Sequence, residues 1–312
     1  MKHLHVTTIG HTHILRAWPC QDFSASFSDD RIAIAAVADG HGADLHFRSA
    51  TGSQVAVETA VELLKNLSQQ DDFLNLLSAA SLTHSPAQNR DEICQKNTMK
   101  SEFLTLKRGP SSLKLGENLS EIEQKINELL TNLIALWRER VTLHAQSHAT
   151  TEWERENVSY GSRWYIERSK LYEIAYGTTL LASLVTPVGW LAFQIGDGKM
   201  ILFRNDEQWE DAIDDDSECI GHLTTSLCQP NAINSFRYSF EGNAQPQALL
   251  LCTDGLSNAF QSTEKLANFY TNLVADFHDH ETDELLATLN TSFPRLSKVT
   301  VGDDISLAAI YQ

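Results

Sequence analysis

Short aspartate motifs at the ends of apolar runs are the feature that most constrains this 312-residue chain. There are five of them: Gln21-Asp22, Asp39-Gly40-His41-Gly42, Gly196-Asp197-Gly198, Thr253-Asp254-Gly255 and Gly302-Asp303-Asp304. A lone Asp-Gly pair is a turn former and needs no further explanation. Several such turns beside strand-like runs favour one shared site, because carboxylates gathered at strand ends suit a hard divalent cation.

The apolar runs between these turns predict an α+β fold with helices layered on antiparallel sheets. Alternation or short buried runs predict strands at 4–8, 31–38, 178–186, 189–195, 199–204, 234–241, 247–252 and 305–311. Helices are predicted at 48–67, from 120 to about 140, at 264–277 and at 283–289. The three strands between 178 and 204 follow one another closely, which predicts an antiparallel meander. Ser120 with Glu123 resembles a capping box at the start of the long helix.

Charge and composition exclude several classes of protein. With 24 basic and 41 acidic residues, the net charge of −17 argues against nucleic acid or an anionic membrane as a partner. Five cysteines without a Cys-x-x-Cys pair argue against a disulfide scaffold or a structural zinc site. The N-terminus lacks the apolar core of a signal peptide, and no apolar run is long enough to span a bilayer. We therefore expect a cytoplasmic monomer.

Two segments stand apart from the predicted core. Residues 83–118 are polar and aperiodic, and their 6 basic and 4 acidic residues give +2 in an acidic chain. We expect a mobile insertion there, inside a single domain that spans residues 1–312. Residues 205–218 hold eight acids and no base, which predicts a solvated loop or, alternatively, a docking surface for a basic partner.

Four histidines near the N-terminus, His3, His5, His11 and His13, form two alternating pairs. If both pairs lie on strands, each pair shares a strand face and offers two ligands to a transition metal such as zinc. Because no cysteine or nearby aspartate completes the set, a structural role is the favoured interpretation.

The aspartate turns also predict a chemistry. Asp39, Asp254 and Asp303 could hold two divalent cations that clamp a phosphoryl group and supply a nucleophile. Such a reaction needs no serine or cysteine nucleophile, and the chain has neither a Gly-x-Ser-x-Gly elbow nor a Walker loop. His41, two residues after Asp39, is placed to protonate a leaving alkoxide, or else it only caps the next helix.

Further motifs occur in one order along nearly the whole chain: Gly10-His-Thr-His13 with Pro19-Cys-Gln-Asp22, Val37-Ala-Asp-Gly-His-Gly42, Gly177-Thr-Thr179, Ile195-Gly-Asp-Gly198, Cys252-Thr-Asp-Gly-Leu256 and Gly302-Asp-Asp-Ile-Ser306. In these motifs the chain resembles the metal-dependent protein phosphatases of type 2C, and most closely their compact bacterial branch. The resemblance implies an antiparallel β-sandwich flanked by helices on both faces, in α-β-β-α layers. It also implies hydrolysis of phosphoserine and phosphothreonine esters in proteins by a hydroxide that two Mg²⁺ or Mn²⁺ ions activate.

The resemblance assigns the metal ligands. It implies that Asp39 bridges two ions and that the Gly40 carbonyl binds one of them. Asp254 and Asp303 then ligate the other ion, and Asp22 holds waters that are bound to the metals.

Two further residues receive roles in the same way. Asp197 with Asp254 matches the pair that binds a third ion in bacterial members, although Asp197 could equally be a turn former in a hairpin. His41 matches the general acid of the family. Asp304 stands where many members have Asn.

The part of the site that orients the phosphate departs from the family pattern. The phosphate-binding arginine of the family falls in register with Ala17, and Gln21 replaces an acid. Arg16, one residue away, is the leading substitute, and His13 is the other candidate.

The leading hypothesis is therefore a metal-dependent serine/threonine protein phosphatase that acts on phosphorylated proteins, together with a cognate Ser/Thr kinase in signalling. The alternative is a catalytically weak pseudophosphatase that binds phosphoproteins as a regulator. A third possibility is a small-molecule phosphohydrolase for which the insertion at 83–118 supplies a lid.

Overall fold

The structure, a computed structural model, describes residues 1–84, 120–205, 208–219, 223–260 and 262–312. Two antiparallel sheets pack face to face, with helices on the outer face of each sheet. This arrangement confirms the predicted α+β class and the α-β-β-α layers. The described part of the predicted insertion is a two-residue strand at its start, and the rest, 85–118, lies outside the described residues.

The strands are β1 (Lys2–Thr8), β2 (Phe23–Ser28), β3 (Ala33–Ala38), β4 (Thr83–His84), β5 (Leu180–Thr186), β6 (Gly189–Ile195), β7 (Lys199–Asn205), β8 (Gln208–Asp211), β9 (Arg237–Gly242), β10 (Ala248–Cys252) and β11 (Ile305–Tyr311). One sheet has the order β1-β11-β10-β7-β8, and the other has the order β2-β3-β5-β6-β9-β4. The last strand therefore lies between the first strand and β10.

The α-helices are α1 (His11–Arg16), α2 (Ser49–Leu67), α3 (Asp71–Ala79), α4 (Glu121–Ser147), α5 (Glu152–Asn157), α6 (Tyr160–Ser169), α7 (Asp254–Asn258), α8 (Thr263–Asp279) and α9 (Thr282–Val299). Helices α2 and α4 cover the sheet that contains β3, whereas α8 and α9 cover the sheet that contains β11.

Strand β3 shows how the sequence produces these layers. Ala33, Ala35 and Val37 face the other sheet, and the intervening Ile34 and Ala36 face the helices. Both faces of the strand are buried, so its sequence is a continuous apolar run rather than an alternating one. Burial on two sides fixes the end of β3, and with it the turn that begins at Asp39.

Helix α4 begins as its sequence predicts. The Ser120 hydroxyl accepts the Glu123 amide, and the Glu123 carboxylate accepts the Ser120 amide in return. Apolar residues at spacings of three and four then bury one face from Ile122 to Val141. The helix continues to Ser147, past the predicted end near 140.

The predicted meander is wrong at its third strand. Strands β5 and β6 pair as expected, but β7 pairs with β10 and β8 in the other sheet. The chain crosses between sheets at Gly196, whose φ of 106° a residue with a side chain rarely adopts. The Gln194 amide donates to the carbonyls of Gly196 and Gly198 and so holds the crossing in place of a hairpin turn.

Other segments also differ from the expectations: β2 and β8 were not predicted, and β8 lies inside the acidic segment that was expected to be a solvated loop. His11 and His13 lie in helix α1, not on a strand face, because the chain turns after Gly10. Helices α5 and α6 lie in the stretch that follows α4, where no element was predicted. Helix α9 continues through Pro294 to Val299, ten residues past its predicted end. Within the described ranges, no helix combines the length and apolar character needed to cross a bilayer.

Candidate active site

Sheet geometry brings three of the aspartate turns together. Asp39 follows β3, Asp254 follows β10, and Asp303 precedes β11. Because β10 and β11 are antiparallel, with Cys252 opposite Leu307, the end of β10 lies beside the start of β11. Strand β3 packs across from them in the facing sheet. The predicted shared site is thus an edge of the sandwich where both sheets contribute carboxylates.

The carboxylates of Asp39 and Asp254 lie close enough to influence each other's ionisation. Burial, followed by the negative charges of Asp22 and Asp254, raises the pKa of Asp39 well above its ordinary value. Burial also raises the pKa of Asp254, and the charges of Asp197 and Asp303 add to the shift. Like charges that meet in this way require either protons or cations.

The backbone at Asp39 is held by the Gly177-Thr-Thr179 motif. Thr178 Oγ1 and the Thr179 amide donate to the Asp39 carbonyl at 2.8 and 2.9 Å. The Asp39 amide donates in turn to Thr179 Oγ1 at 3.0 Å. These bonds fix the direction in which the turn leaves β3.

Gly40 lies where the segment before β2 comes closest to the turn that begins at Asp39. Its amide donates to the Gln21 carbonyl at 3.1 Å. A Cβ at this position would lie 2.7 Å from that carbonyl oxygen and 2.8 Å from the Ser49 backbone. Only glycine permits this approach, which brings the Gln21-Asp22 motif beside Asp39.

Asp22 is buried and accepts a hydrogen bond from Thr253 Oγ1 at 2.7 Å. The same hydroxyl accepts the Ser306 amide at 3.0 Å. Burial, and then the charge of Asp304, raises the pKa of Asp22 well above its ordinary value. Asp22 therefore lies behind the cluster, close enough to influence the charge of Asp39.

Asp304 organises the chain around α1. Its carboxylate accepts the amides of Gly10 at 2.5 Å and Gln21 at 2.6 Å, and it lies 2.9 Å from His13 Nδ1. Although burial opposes the shift, these hydrogen bonds hold the pKa of Asp304 below its ordinary value. Burial likewise opposes the shift at His13, where the bond and charge of Asp304 raise the pKa. His13 is thus paired with Asp304.

Arg16 lies at the end of α1 with an exposed side chain. Its guanidinium carbon is 5.1 Å from the centre of the Trp18 ring. Within the part of the chain that the structure describes, Arg16 forms no ion pair with a carboxylate. Ala17, in register with the arginine of the family, adopts a φ of 53° and accepts a hydrogen bond from Trp153 Nε1 at 3.0 Å.

His41 follows Asp39 into the same loop, and its amide donates to the Gly177 carbonyl at 3.0 Å. Its ring lies 5.0 Å from that of His46. Burial, followed by the nearby His46, lowers the pKa of His41 to about 3. The imidazole is therefore neutral at physiological pH in the free protein.

Asp197 lies at the crossing between the sheets, half-buried, and its charge contributes to the raised pKa of Asp254. Asp22 and Asp303 thus lie near enough to act by charge on Asp39, and Asp197 and Asp303 near enough to act on Asp254. Of the predicted site residues, Arg16 is the one that stands apart from the carboxylates.

Two contacts that position the site were not predicted from the sequence. Helix α5 brings Trp153 to Ala17, and the next residue, Glu154, to Arg48 at the start of α2. Thr151 and Glu154 form a capping box, a Thr-x-x-Glu signal that could have identified α5. The role of Thr253 as a link between Asp22 and β11 has no comparable signal, because its partners are distant in sequence.

The donor set fits a hard divalent cation. Carboxylate oxygens supply it, and Mg²⁺ is usually held by one or two carboxylates while it keeps several waters. As the side chains stand, no group of three His, Cys, Asp or Glu residues in the described ranges is arranged to hold a metal ion. The closeness of Asp39 and Asp254 is the observation that favours a cation, because a divalent charge between them would offset the repulsion of the two carboxylates.

Comparisons with known proteins agree with this geometry. The sequence model of a family described as protein phosphatase 2C matches residues 9–290. The solved structure of serine/threonine phosphatase Stp1 from Staphylococcus aureus is similar at 14% identity and a TM-score of 0.52, over 100% of this chain and 95% of that chain. The S. agalactiae serine/threonine phosphatase is similar at 15% identity and a TM-score of 0.52, over 99% and 98%. No curated protein sequence matches the chain.

The two structural similarities establish a shared fold, and the family match extends over most of the chain. The matched residues include Asp22, Asp39, Asp197 and Asp254. The chain therefore belongs to the protein phosphatase 2C family and is a phosphatase of the protein-serine/threonine class.

Proposed function

We propose that the protein hydrolyses phosphoserine and phosphothreonine esters in phosphorylated proteins, with two Mg²⁺ or Mn²⁺ ions held by Asp39, Asp254 and Asp303. The observation that carries the proposal is the closeness of the Asp39 and Asp254 carboxylates. A cation between the two carboxylates would offset their mutual repulsion, which the strands would otherwise have to overcome to hold them together. Family membership independently favours the same metals and the same substrate class.

The remaining metal-site residues receive roles that match their positions. Asp39 would bridge the ions, with the Gly40 carbonyl on one of them, and buried Asp22 would orient water from behind. Asp197, next to Asp254, would hold a third ion. When bound, the ions would neutralise the phosphoryl oxygens and lower the pKa of an attacking water.

His41 is proposed as the general acid for the leaving oxygen. In the free protein it carries no proton to donate at neutral pH, because its pKa is about 3. An adjacent phosphate dianion favours the imidazolium form, so the ester itself would help to charge His41. The bond from its amide to the Gly177 carbonyl holds the residue in the loop that follows Asp39.

Arg16 is proposed to bind the phosphate, since a guanidinium matches phosphate oxygens in charge and geometry. It would have to leave the Trp18 ring to do so. His13 is less suited to the task, because its ring is already paired with Asp304. We further propose that residues 1–312 form a single, monomeric phosphatase domain that opposes a cognate Ser/Thr kinase.

Substitution of these two neighbouring carboxylates tests the proposal. We expect Asp39→Asn and Asp254→Asn each to abolish manganese-dependent hydrolysis of an aryl phosphate. Asp276→Asn, on the exposed face of α8, is the matched control and should retain activity. Circular dichroism would confirm that all three variants are folded. Full activity in both site variants would refute the proposed site.

The exposed side chain of Arg16 is also compatible with the alternative function. In that alternative the protein is a pseudophosphatase that binds phosphoproteins and turns them over weakly. The two functions differ in one measurement. Turnover of a phosphopeptide with manganese supports the enzyme, whereas tight binding of the same peptide without turnover supports the regulator.

A further inference from the structure

Helix α6 presents an aromatic face to solvent. The side chains of Tyr160, Trp164 and Tyr165 are 74%, 48% and 43% exposed. Tyr160 and Trp164 are four residues apart and share one face, and Arg168 extends that face by another turn. The Arg168 guanidinium lies 5.6 Å from the centre of the Trp164 ring. Aromatic side chains clustered on a surface commonly mark a binding site.

The start of this helix is attached to the loop that carries His41. The Asp44 carboxylate accepts the Ser159 amide at 2.9 Å and the hydroxyls of Ser159 and Ser162 at 2.6 and 2.5 Å. Asp44 is five residues from Asp39, so their Cα atoms are at most about 18 Å apart. The leg from Asp44 through Ser159 to Tyr160 adds roughly 10 Å, so an extended peptide of about nine residues spans the longest possible path from Asp39 to Tyr160.

Helix α5 fixes this region to the body of the protein. Arg48 and Glu154 form two hydrogen bonds of 2.5 and 3.1 Å, with side chains only 11% and 6% exposed. Trp153, the neighbour of Glu154, binds the Ala17 carbonyl at the end of α1. Because the surface is already held in place, binding a ligand costs little conformational entropy on the protein side, and this favours affinity.

The local charge is opposite to that of the whole chain. Residues 155–170 contain four basic and two acidic residues, or +2, whereas the chain carries −17. Arg168 forms no ion pair with a carboxylate among the residues that the structure describes. The aromatic face thus combines apolar area with positive charge, and it is complementary to an acidic segment that carries an apolar side chain.

We infer that α6 docks the substrate polypeptide beside its phosphorylated residue. The segment it fits is acidic and places an aromatic or aliphatic side chain within about nine residues of the phosphate. Tyr160 and Trp164 contact the apolar side chain, and Arg168 pairs with the acidic residues. The inference rests on the proposed function and adds a preference among phosphoproteins.

Steady-state kinetics on two phosphopeptides test the inference. One peptide carries acidic residues and a tryptophan in the flank, and the other carries serine and glycine there. We expect Trp164→Ala and Arg168→Glu each to raise the KM for the acidic peptide about tenfold with kcat unchanged, because docking is remote from the reacting atoms. The serine-glycine peptide and an aryl phosphate should be unaffected. Arg295→Glu, the same charge change on exposed α9, should alter none of these values.

The outcomes separate the two proposals. Equal KM values for both peptides in the wild type would overturn the docking surface while leaving the phosphatase intact. A dimer in sedimentation that Trp164→Ala dissociates would assign the face to a second copy, and it would also overturn the inference. If the wild type hydrolyses no aryl phosphate, the proposed function fails. Fluorescence anisotropy of the labelled acidic peptide then tests docking directly, with weaker binding expected for Trp164→Ala.

Discussion

The two sides of the candidate site are built in different ways. On the carboxylate side, Asp39, Asp254 and Asp303 each belong to a short turn at the end of a buried strand, so the sheets position them. On the α1 side, His13, Asp304 and Gln21 are joined by hydrogen bonds between distant segments, and Arg16 lies outside that network. The packing of buried strands in the core positions the carboxylates, whereas a few hydrogen bonds between polar groups position the α1 side. The carboxylate side should therefore be indispensable for activity, and the α1 side should be more easily disturbed in structure.

The largest effect is expected on the carboxylate side. Asp254→Asn should lower kcat/KM for an aryl phosphate by about 10³-fold or more, because it removes a ligand and the charge that attracts the cation. The comparison variant is Arg16→Ala, measured in the same manganese assay. A larger loss in Arg16→Ala than in Asp254→Asn would reverse the contrast between the two sides.

Asp304 connects the carboxylate side with the α1 side. Among the substitutions considered, its removal should lower the free energy of unfolding the most. Asp304→Ala would leave the Gly10 and Gln21 amides and the His13 ring without their acceptor, at a cost of about 3–5 kcal/mol in unfolding free energy. Urea unfolding measures this value. Asp304→Asn keeps an acceptor oxygen and should lose about half as much. A stability near that of the wild type in Asp304→Ala would show that the network does not support α1.

Arg16 tests whether the α1 side contacts substrate. We expect Arg16→Ala to raise the KM for an aryl phosphate about tenfold, with unchanged unfolding free energy because the side chain is exposed. Lysine at this position should restore part of the affinity through its charge alone. An unchanged KM would point away from Arg16 as the phosphate ligand.

The smallest expected effect is an increase in the free energy of unfolding of Asp39→Asn when no metal is bound. In EDTA at pH 7, Asp39→Asn should be about 1 kcal/mol more stable than the wild type, because it removes one of the repelling carboxylates. The pKa of Asp39 is raised in the folded protein, so its contribution to stability is present below the unfolded pKa and is lost as the pH rises through the folded value. The gain should therefore disappear at acidic pH. Calorimetry across pH 4–7 checks both the sign and the window, and a gain that grows toward acid would contradict the explanation.

Most strands and their turns were predictable because they depend on local patterns, whereas β2, β4 and β8 were not predicted. The predicted ends of β6 and β11 agree with the structure, since buried runs there are bounded by turn residues. The start of α4 was predictable from two side chains that cap one turn. The three core aspartates meet because β3, β10 and β11 bring the ends that carry them to one edge of the sandwich.

The failures have a physical cause as well. Helix α6 turns Tyr160 and Trp164 outward, so its apolar residues do not follow the periodicity of a buried face. The crossing at Gly196 depends on contacts with the Gln194 side chain and on partners in two sheets, which no local signal distinguishes from a hairpin. The pairing of His13 with Asp304 joins residues almost 300 positions apart. Whether Arg16 reaches a phosphate depends on side-chain conformations that periodicity does not describe.

The position of β11 between β1 and β10 has a consequence for synthesis of the protein. As the chain emerges from the ribosome, Asp22, Asp39, Asp197 and Asp254 are all made before Asp303. Thr253 Oγ1, which donates to Asp22, receives the Ser306 amide only when residues 305–311 enter the middle of their sheet. A growing chain therefore lacks both Asp303 and the Ser306 bond until β11 has been made and has paired with its neighbours.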